Sequence, residues 1–286
     1  MKLLLLSIGL IVGLLPVVQS GAQAADAATV VSARKLNLKS HSALVVEQGG
    51  QRVLYAKNVE TVVPIASITK LMTALVVVES GLPLDERIAI SAEDKDGIKG
   101  TRSRLRPGAE LARGDLLRLA LMSSENRAAA ALARAYPGGS RAFVAAMNQK
   151  AVELGMWRTR FVDGTGLSSR NVSTAQDLAR LVDAAYQQPL IREYTTGSKH
   201  TVEFANGGRL QYANSNRLVS NADWEIGLSK TGYISEAGRC LVLQAKIAAT
   251  PVIIVLLYSW GKLSRIGDAN RIKKWIESYS SRQPAG

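Results

Sequence analysis

Three apolar runs follow one another near the end of the chain and limit its fold most strongly: WEIGLSKTGYI (224–234), RCLVLQAKIAA (239–249) and PVIIVLLYSW (251–260). Each is strand-length and β-branched or leucine-rich, so each predicts a β-strand. Near the start, ALVVEQGGQRVLYAKN (43–58) predicts a β-hairpin, with two β-branched runs around Gly49-Gly50. The chain between these ends is helical in pattern. Strands first and last with helices between predict an α+β fold: an antiparallel sheet formed from both chain ends, with a helical lobe inserted.

Within that lobe, Leu71, Ala74, Leu75 and Val78 recur at helical spacing and predict a helix from about Ser67 to Ser80. GDLLRLALMSSENRAAAALARAY (114–136) reads as helix on both sides of Ser123-Ser124 and stops at Pro137-Gly138-Gly139. Residues 140–156 form another helix, with Gly155 as its C-terminal cap. Residues 173–187 form a third, with Ser173 or Thr174 as N-cap. HTVEFANGGRLQYANS (200–215) reads as a hairpin around Asn206-Gly207-Gly208, and GDANRIKKWIESYS (267–280) as a closing helix.

The first residues have a different texture. Lys2 precedes an apolar core reaching about Val18, and Ala22-Gln23-Ala24 is an A-x-A cleavage pattern. That core is shorter than the roughly 20 residues a membrane span requires. The expected organisation is a signal peptide over 1–24, a flexible lead-in over 25–40, a single domain over 41–280 and a polar tail over 281–286. The mature protein is expected to be exported and to carry no stable membrane anchor.

Composition excludes several chemistries. Cys240 is the single cysteine and lies in an apolar strand-like run, so it reads as a packed core thiol. The two histidines, His41 and His200, have no histidine or cysteine two to four residues on, which argues against a metal site. The formal charge is +13. Such a charge suits an exported protein that works on an anionic envelope polymer. The basic residues are spread along the chain without a nucleic-acid-binding pattern, so no nucleic-acid partner is expected.

Three short clusters carry the chemistry. In PIASITK (64–70), Ser67 and Lys70 are one helical turn apart, at the end of a helix where backbone N–H groups point outward. A serine needs a base within hydrogen-bond reach, and a lysine with a lowered pKa supplies one. Ser124-Glu125-Asn126 interrupts the alanine-rich helix and projects a hydroxyl and an amide. Lys230-Thr231-Gly232 lies on a predicted strand; it offers a charge and a hydroxyl to a carboxylate, while Gly232 lets a ligand or another backbone approach closely.

The order S-x-x-K, S-x-N, K-T-G is that of penicillin-binding proteins and class A β-lactamases, with S-E-N here in place of S-D-N. The segments PIASITKLMTA, LALMSSENRAAAALA, TRFVDGTGLSSRNVSTAQDLARL and LSKTGYISEAGRCLV extend the likeness from about Ser42 to Trp275. The chain resembles the D-alanyl-D-alanine peptidase branch of the low-mass penicillin-binding proteins, and within it the small D-alanyl-D-alanine endopeptidases. FVDGTGLSSRN has no Glu where a β-lactamase carries its deacylating one. The region after Gly232 is short for the second β-rich domain that carboxypeptidases of the branch usually add.

The resemblance implies a penicillin-binding/β-lactamase-like fold and an acyl-serine peptidase of the periplasm. Ser67 would be the nucleophile, Lys70 the general base and Ser124 a proton relay. Asn126, Lys230, Thr231, Gly232 and Tyr233 would bind substrate, with the backbone N–H groups of Ser67 and Tyr233 forming the oxyanion hole. The implied substrates are peptidoglycan stem peptides and their cross-links. β-Lactams would act as covalent inhibitors, and no metal or cofactor is required. Carboxypeptidase action on stem pentapeptides, or a non-catalytic peptidoglycan-binding role, remains the alternative to endopeptidase action.

Overall fold

The computed structural model describes residues 36–49 and 52–280. The leader, most of the lead-in, Gly50 and the tail lie outside the described residues. Two strands open the fold, β1 (Ser40–Glu47) and β2 (Val53–Lys57), and three close it: β3 (Glu225–Ile234), β4 (Gly238–Ile247) and β5 (Thr250–Ser259). They form one sheet in the order β2-β1-β5-β4-β3, with every neighbouring pair antiparallel. The two ends of the chain meet at the β1–β5 pair, where Val45 lies opposite Ile254.

The closing strands are nearly continuous apolar runs because both faces of the sheet are covered. Val45, Leu243, Ile254 and Leu256 pack with Ala269, Ile272 and Ile276 of the last helix (Ser264–Ser280). Their neighbours Leu44, Val242, Val255 and Leu257 face the helical lobe. Full burial of one such side chain is worth about 1.5–3 kcal/mol, so this double cover makes the sheet the rigid platform of the molecule.

The lobe holds α1 (Thr69–Glu79), α2 (Arg113–Met122), α3 (Asn126–Arg134), α4 (Gly139–Glu153), α5 (Ala175–Tyr186) and α6 (Pro189–Thr196); the closing helix is α7. Thr174 caps α5 by accepting the Asp177 N–H at 3.1 Å. Gly155, at φ +68°, ends α4 in the left-handed conformation. The hairpin of Lys199–Glu203 and Arg209–Ala213 forms as the sequence indicates. Helix α6 does not stand out in the sequence: Pro189 looks like a break, but it occupies the first helical turn, where its missing N–H costs nothing. Helix α1 is buried from Thr69 to Val77, which makes it the central post of the lobe. Among the described residues no helix is long and apolar enough to cross a membrane.

Candidate active site

Ser67 lies in a single 3₁₀ turn, Ala66–Ile68, that leads into α1. The sequence places it inside the helix; the structure places it in the tighter turn just before. Ala66 is held at φ +48°, a left-handed conformation that costs a non-glycine residue about 1–3 kcal/mol. Two glycines clamp that turn. A Cβ on Gly166, itself at φ +80°, would lie 2.0 Å from the Ala66 carbonyl oxygen. A Cβ on Gly232 would lie 2.9 Å from the Ile65 oxygen and 3.1 Å from the Ser67 nitrogen. The backbone that Gly232 admits is therefore the Ser67 turn itself.

Lys70 is fully buried one turn into the helix. Its Nζ lies 2.8 Å from Ser67 Oγ, 2.7 Å from Asn126 Oδ1 and 2.6 Å from the Thr165 carbonyl oxygen. Burial lowers its pKa to about 7, against the opposing pull of the Asp163, Glu125 and Asp96 carboxylates. As an ammonium, Lys70 donates to all three neighbours. As a neutral amine, it keeps two N–H donors for Asn126 and Thr165 and turns its lone pair to the Ser67 hydroxyl. The same geometry thus serves both protonation states.

A second lysine stands behind the first. Lys230, buried on β3, donates to Ser124 Oγ at 2.9 Å and to the Thr231 carbonyl at 2.9 Å. Burial pushes its pKa well down, and the charges of Lys70 and Arg265 push the same way. Thr231 donates its hydroxyl to Ser215 Oγ at 2.8 Å. Ser124 takes φ +62° in the break between α2 and α3, and that backbone turns its hydroxyl to Lys230. Two buried lysines, each with only neutral hydrogen-bond partners, form the cradle of the site.

The segment 95–106 runs along this cleft. Lys99 pairs with Glu236 in the turn after β3, Thr101 Oγ1 accepts from Asn126 Nδ2 at 3.0 Å, and Arg104 donates to the Gln211 carbonyl at 2.7 Å. Asp96 organises the turn by accepting from the N–H groups of Ile98, Lys99 and Thr101 and from the Thr101 hydroxyl.

Ser67, Lys70 and Asn126 thus share one hydrogen-bond network, and Ser124, Lys230 and Thr231 share another beside it. Tyr233 differs: its side chain is exposed, with the Arg239 guanidinium 4.5 Å from the ring centre. Cys240 is buried, its thiol pushed up to about 11 by burial, and His200 is engaged by Asp115 at 3.1 Å. Among the described residues no cluster of His, Cys, Asp or Glu could hold a metal ion. Sequence reasoning missed the Thr165 carbonyl, Ser215, Thr101 and Arg265. Arg265 donates to the Gly232 carbonyl at 2.8 Å and braces the strand. Of these, the Asp163-Gly164-Thr165-Gly166 turn had a visible signal in its glycines.

Residues 28–259 match the D-alanyl-D-alanine carboxypeptidase family of peptidases. The chain is 51% identical over 242 residues to a D-alanyl-D-alanine endopeptidase of Pseudomonas aeruginosa, covering 84% of this chain and 78% of the relative. It is 46% identical over 255 residues to a D-alanyl-D-alanine endopeptidase of Escherichia coli, covering 89% and 82%. Among solved structures it is similar to a Streptomyces DD-transpeptidase, with a TM-score of 0.78 at 28% identity over 84% of this chain and 98% of the other.

Proposed function

The chain belongs to the D-alanyl-D-alanine carboxypeptidase family and is a serine-type D-Ala-D-Ala peptidase, and from that premise we propose that it hydrolyses D,D cross-links in peptidoglycan as an endopeptidase. The names of the two relatives support endopeptidase over carboxypeptidase action. The observation that carries the catalytic reading is the 2.8 Å contact between Ser67 Oγ and a buried Lys70 whose pKa is about 7.

In the proposed mechanism, neutral Lys70 takes the Ser67 proton while Oγ attacks the D-Ala carbonyl. The backbone N–H groups of Ser67 and Tyr233 receive the developing oxyanion. Removing one such donor typically costs about 10²–10³ in rate. Ser124 gives its hydroxyl proton to the leaving amine and is reprotonated by the Lys70 ammonium, the C–N bond breaks, and an ester on Ser67 remains. Lys70, neutral again, then takes a proton from the water that attacks the ester and returns it to Ser67 Oγ as the ester C–O bond breaks. Asn126 holds the substrate amide, and Lys230 and Thr231 bind the carboxylate beside the scissile bond. A carboxylate there would favour the charged form of Lys230, which burial disfavours and which has only neutral hydrogen-bond partners among the described residues. β-Lactams would acylate Ser67 through the same steps. The leader-like first 24 residues support a periplasmic location, where the substrate lies.

The test compares kcat/KM for a D,D-cross-linked muropeptide dimer with that for the uncross-linked pentapeptide. The endopeptidase reading expects the dimer to be preferred. A clear preference for the pentapeptide would assign carboxypeptidase action instead, with the same residues.

A further inference from the structure

TRSRLRPG (101–108) carries arginines at alternate positions, 102, 104 and 106. From Thr101 to Arg106 the backbone forms neither helix nor strand and bends at Arg104. Leu105 is fully buried and Ser103 partly so, while all three arginines are exposed. One short segment therefore presents three arginines at the surface. Arg104 is fixed by its bond to the Gln211 carbonyl and by stacking 4.0 Å over the Tyr212 ring. Arg102 and Arg106 have no carboxylate partner among the described residues.

Arg104 and Arg106 border an open groove of about 760 Å³ between this segment and the 199–213 hairpin, and Arg102 precedes it on the same segment. Arg104 and Arg106 line one side, and Phe204, Asn206 and Arg209 the other. Its other charges are already matched: Glu110 faces Arg87 at 3.8 Å, and Arg209 pairs with Glu203 at 2.8 Å. The uncompensated charge is positive and sits on the arginine comb. The segment itself links the groove to the catalytic network: Thr101 Oγ1 accepts from the Asn126 amide, and Ser103, two residues on, already lines the groove. At no more than about 3.6 Å per residue, Arg104 and Arg106 lie within roughly 11 and 18 Å of that contact. That is the reach of a few peptide residues beyond the scissile bond.

We propose that this groove is a subsite for the carboxylate-bearing peptide strand that flanks the scissile bond, with Arg102 and Arg106 pairing its free carboxylates and Arg104 shaping the floor. This rests on the cross-link reading above, since an uncross-linked stem ends at the catalytic cradle and leaves the groove empty. Guanidinium groups suit carboxylates because their N–H forks match the two oxygens. Such exposed pairs are individually weak and screened by salt, so they tune affinity without trapping the product.

The test uses direct binding, so that it does not depend on turnover. Ser67→Ala protein is titrated calorimetrically with a cross-linked dimer, and with the same dimer amidated only at the carboxylates remote from the scissile bond. Adding Arg102→Gln and Arg106→Gln should weaken binding of the free-acid dimer about tenfold and erase the difference between the two ligands. Lys246→Gln, an exposed charge loss at the far end of β4, should change neither. Equal binding of the two dimers by the parent, or no loss in the double variant beyond that of Lys246→Gln, would overturn the subsite. So would a loss seen only toward vesicles containing phosphatidylglycerol, which would assign the comb to a membrane surface. If the wild-type enzyme prefers pentapeptide in turnover while these binding differences hold, the cross-link reading fails and the carboxylate subsite stands.

Discussion

The pH dependence of Ser67 acylation follows from the burial of Lys70. A pKa of about 7 leaves roughly half of the Lys70 amines neutral at pH 7, about a tenth at pH 6 and about nine-tenths at pH 8. A lysine at the ordinary value near 10.4 would be neutral in only about one molecule in 2,500 at pH 7. Burial therefore raises the population able to take the Ser67 proton by roughly a thousandfold. The second-order rate constant for acylation by a soluble penicillin reads the free enzyme and is the right observable. It should rise about tenfold between pH 6 and pH 8 and flatten above. Lys230 is also buried and feels the Lys70 charge, so the midpoint belongs to the pair of lysines. At pH 8, Lys70→Arg should be as slow as Lys70→Ala, because a guanidinium keeps its proton. A rate that is flat from pH 6 to pH 8, or substantial acylation by Lys70→Arg, would refute Lys70 as the base, and a rate still climbing at pH 10 would refute its lowered pKa.

Two further outcomes test the frame around the site. Gly232→Ala pushes a methyl against the Ile65 oxygen and Ser67 nitrogen, so acylation should fall about 10²–10³-fold, the loss typical of one displaced oxyanion donor, while the circular dichroism spectrum is unchanged. Full acylation by this variant would mean that the Ser67 turn yields at no cost. Asp268, fully buried, accepts from the Lys39 and Ser40 N–H groups at 2.9 and 2.7 Å and from Ser40 Oγ at 2.6 Å, tying β1 to α7. Asp268→Ala leaves those donors unsatisfied and should cost about 3 kcal/mol, read as a lower thermal midpoint with activity per folded molecule retained.

The parts of this molecule that were legible in its sequence are those whose physics is local. The strands at both ends declare themselves by apolar runs, and α1 by its periodicity. Ser67 and Lys70 pair because residues three apart on a helix are neighbours. Nothing local joins Lys70 to Asn126, or Lys230 to Ser124; those contacts bridge 56 and 106 residues. They are expected from resemblance to a family and appear geometrically only when the lobe closes on the sheet. The Thr165 carbonyl is invisible for a different reason: every residue carries one, and only the fold decides which faces a buried amine. Helix α6 was hidden by the same proline that starts it. The 102–106 arginines show no helical or strand period, and that two of them line a groove with the distant 199–213 hairpin is decided only by the fold.

The central claim is that Ser67 forms the covalent intermediate with peptidoglycan itself. The direct measurement is the intact mass and peptide map of enzyme acid-quenched during turnover of a purified D,D-cross-linked dimer. The account expects a stem-peptide ester on the peptide containing Ser67, released muropeptide monomers, and neither adduct nor monomers with Ser67→Ala. An adduct on another residue, or dimer cleavage that persists in Ser67→Ala, would contradict it.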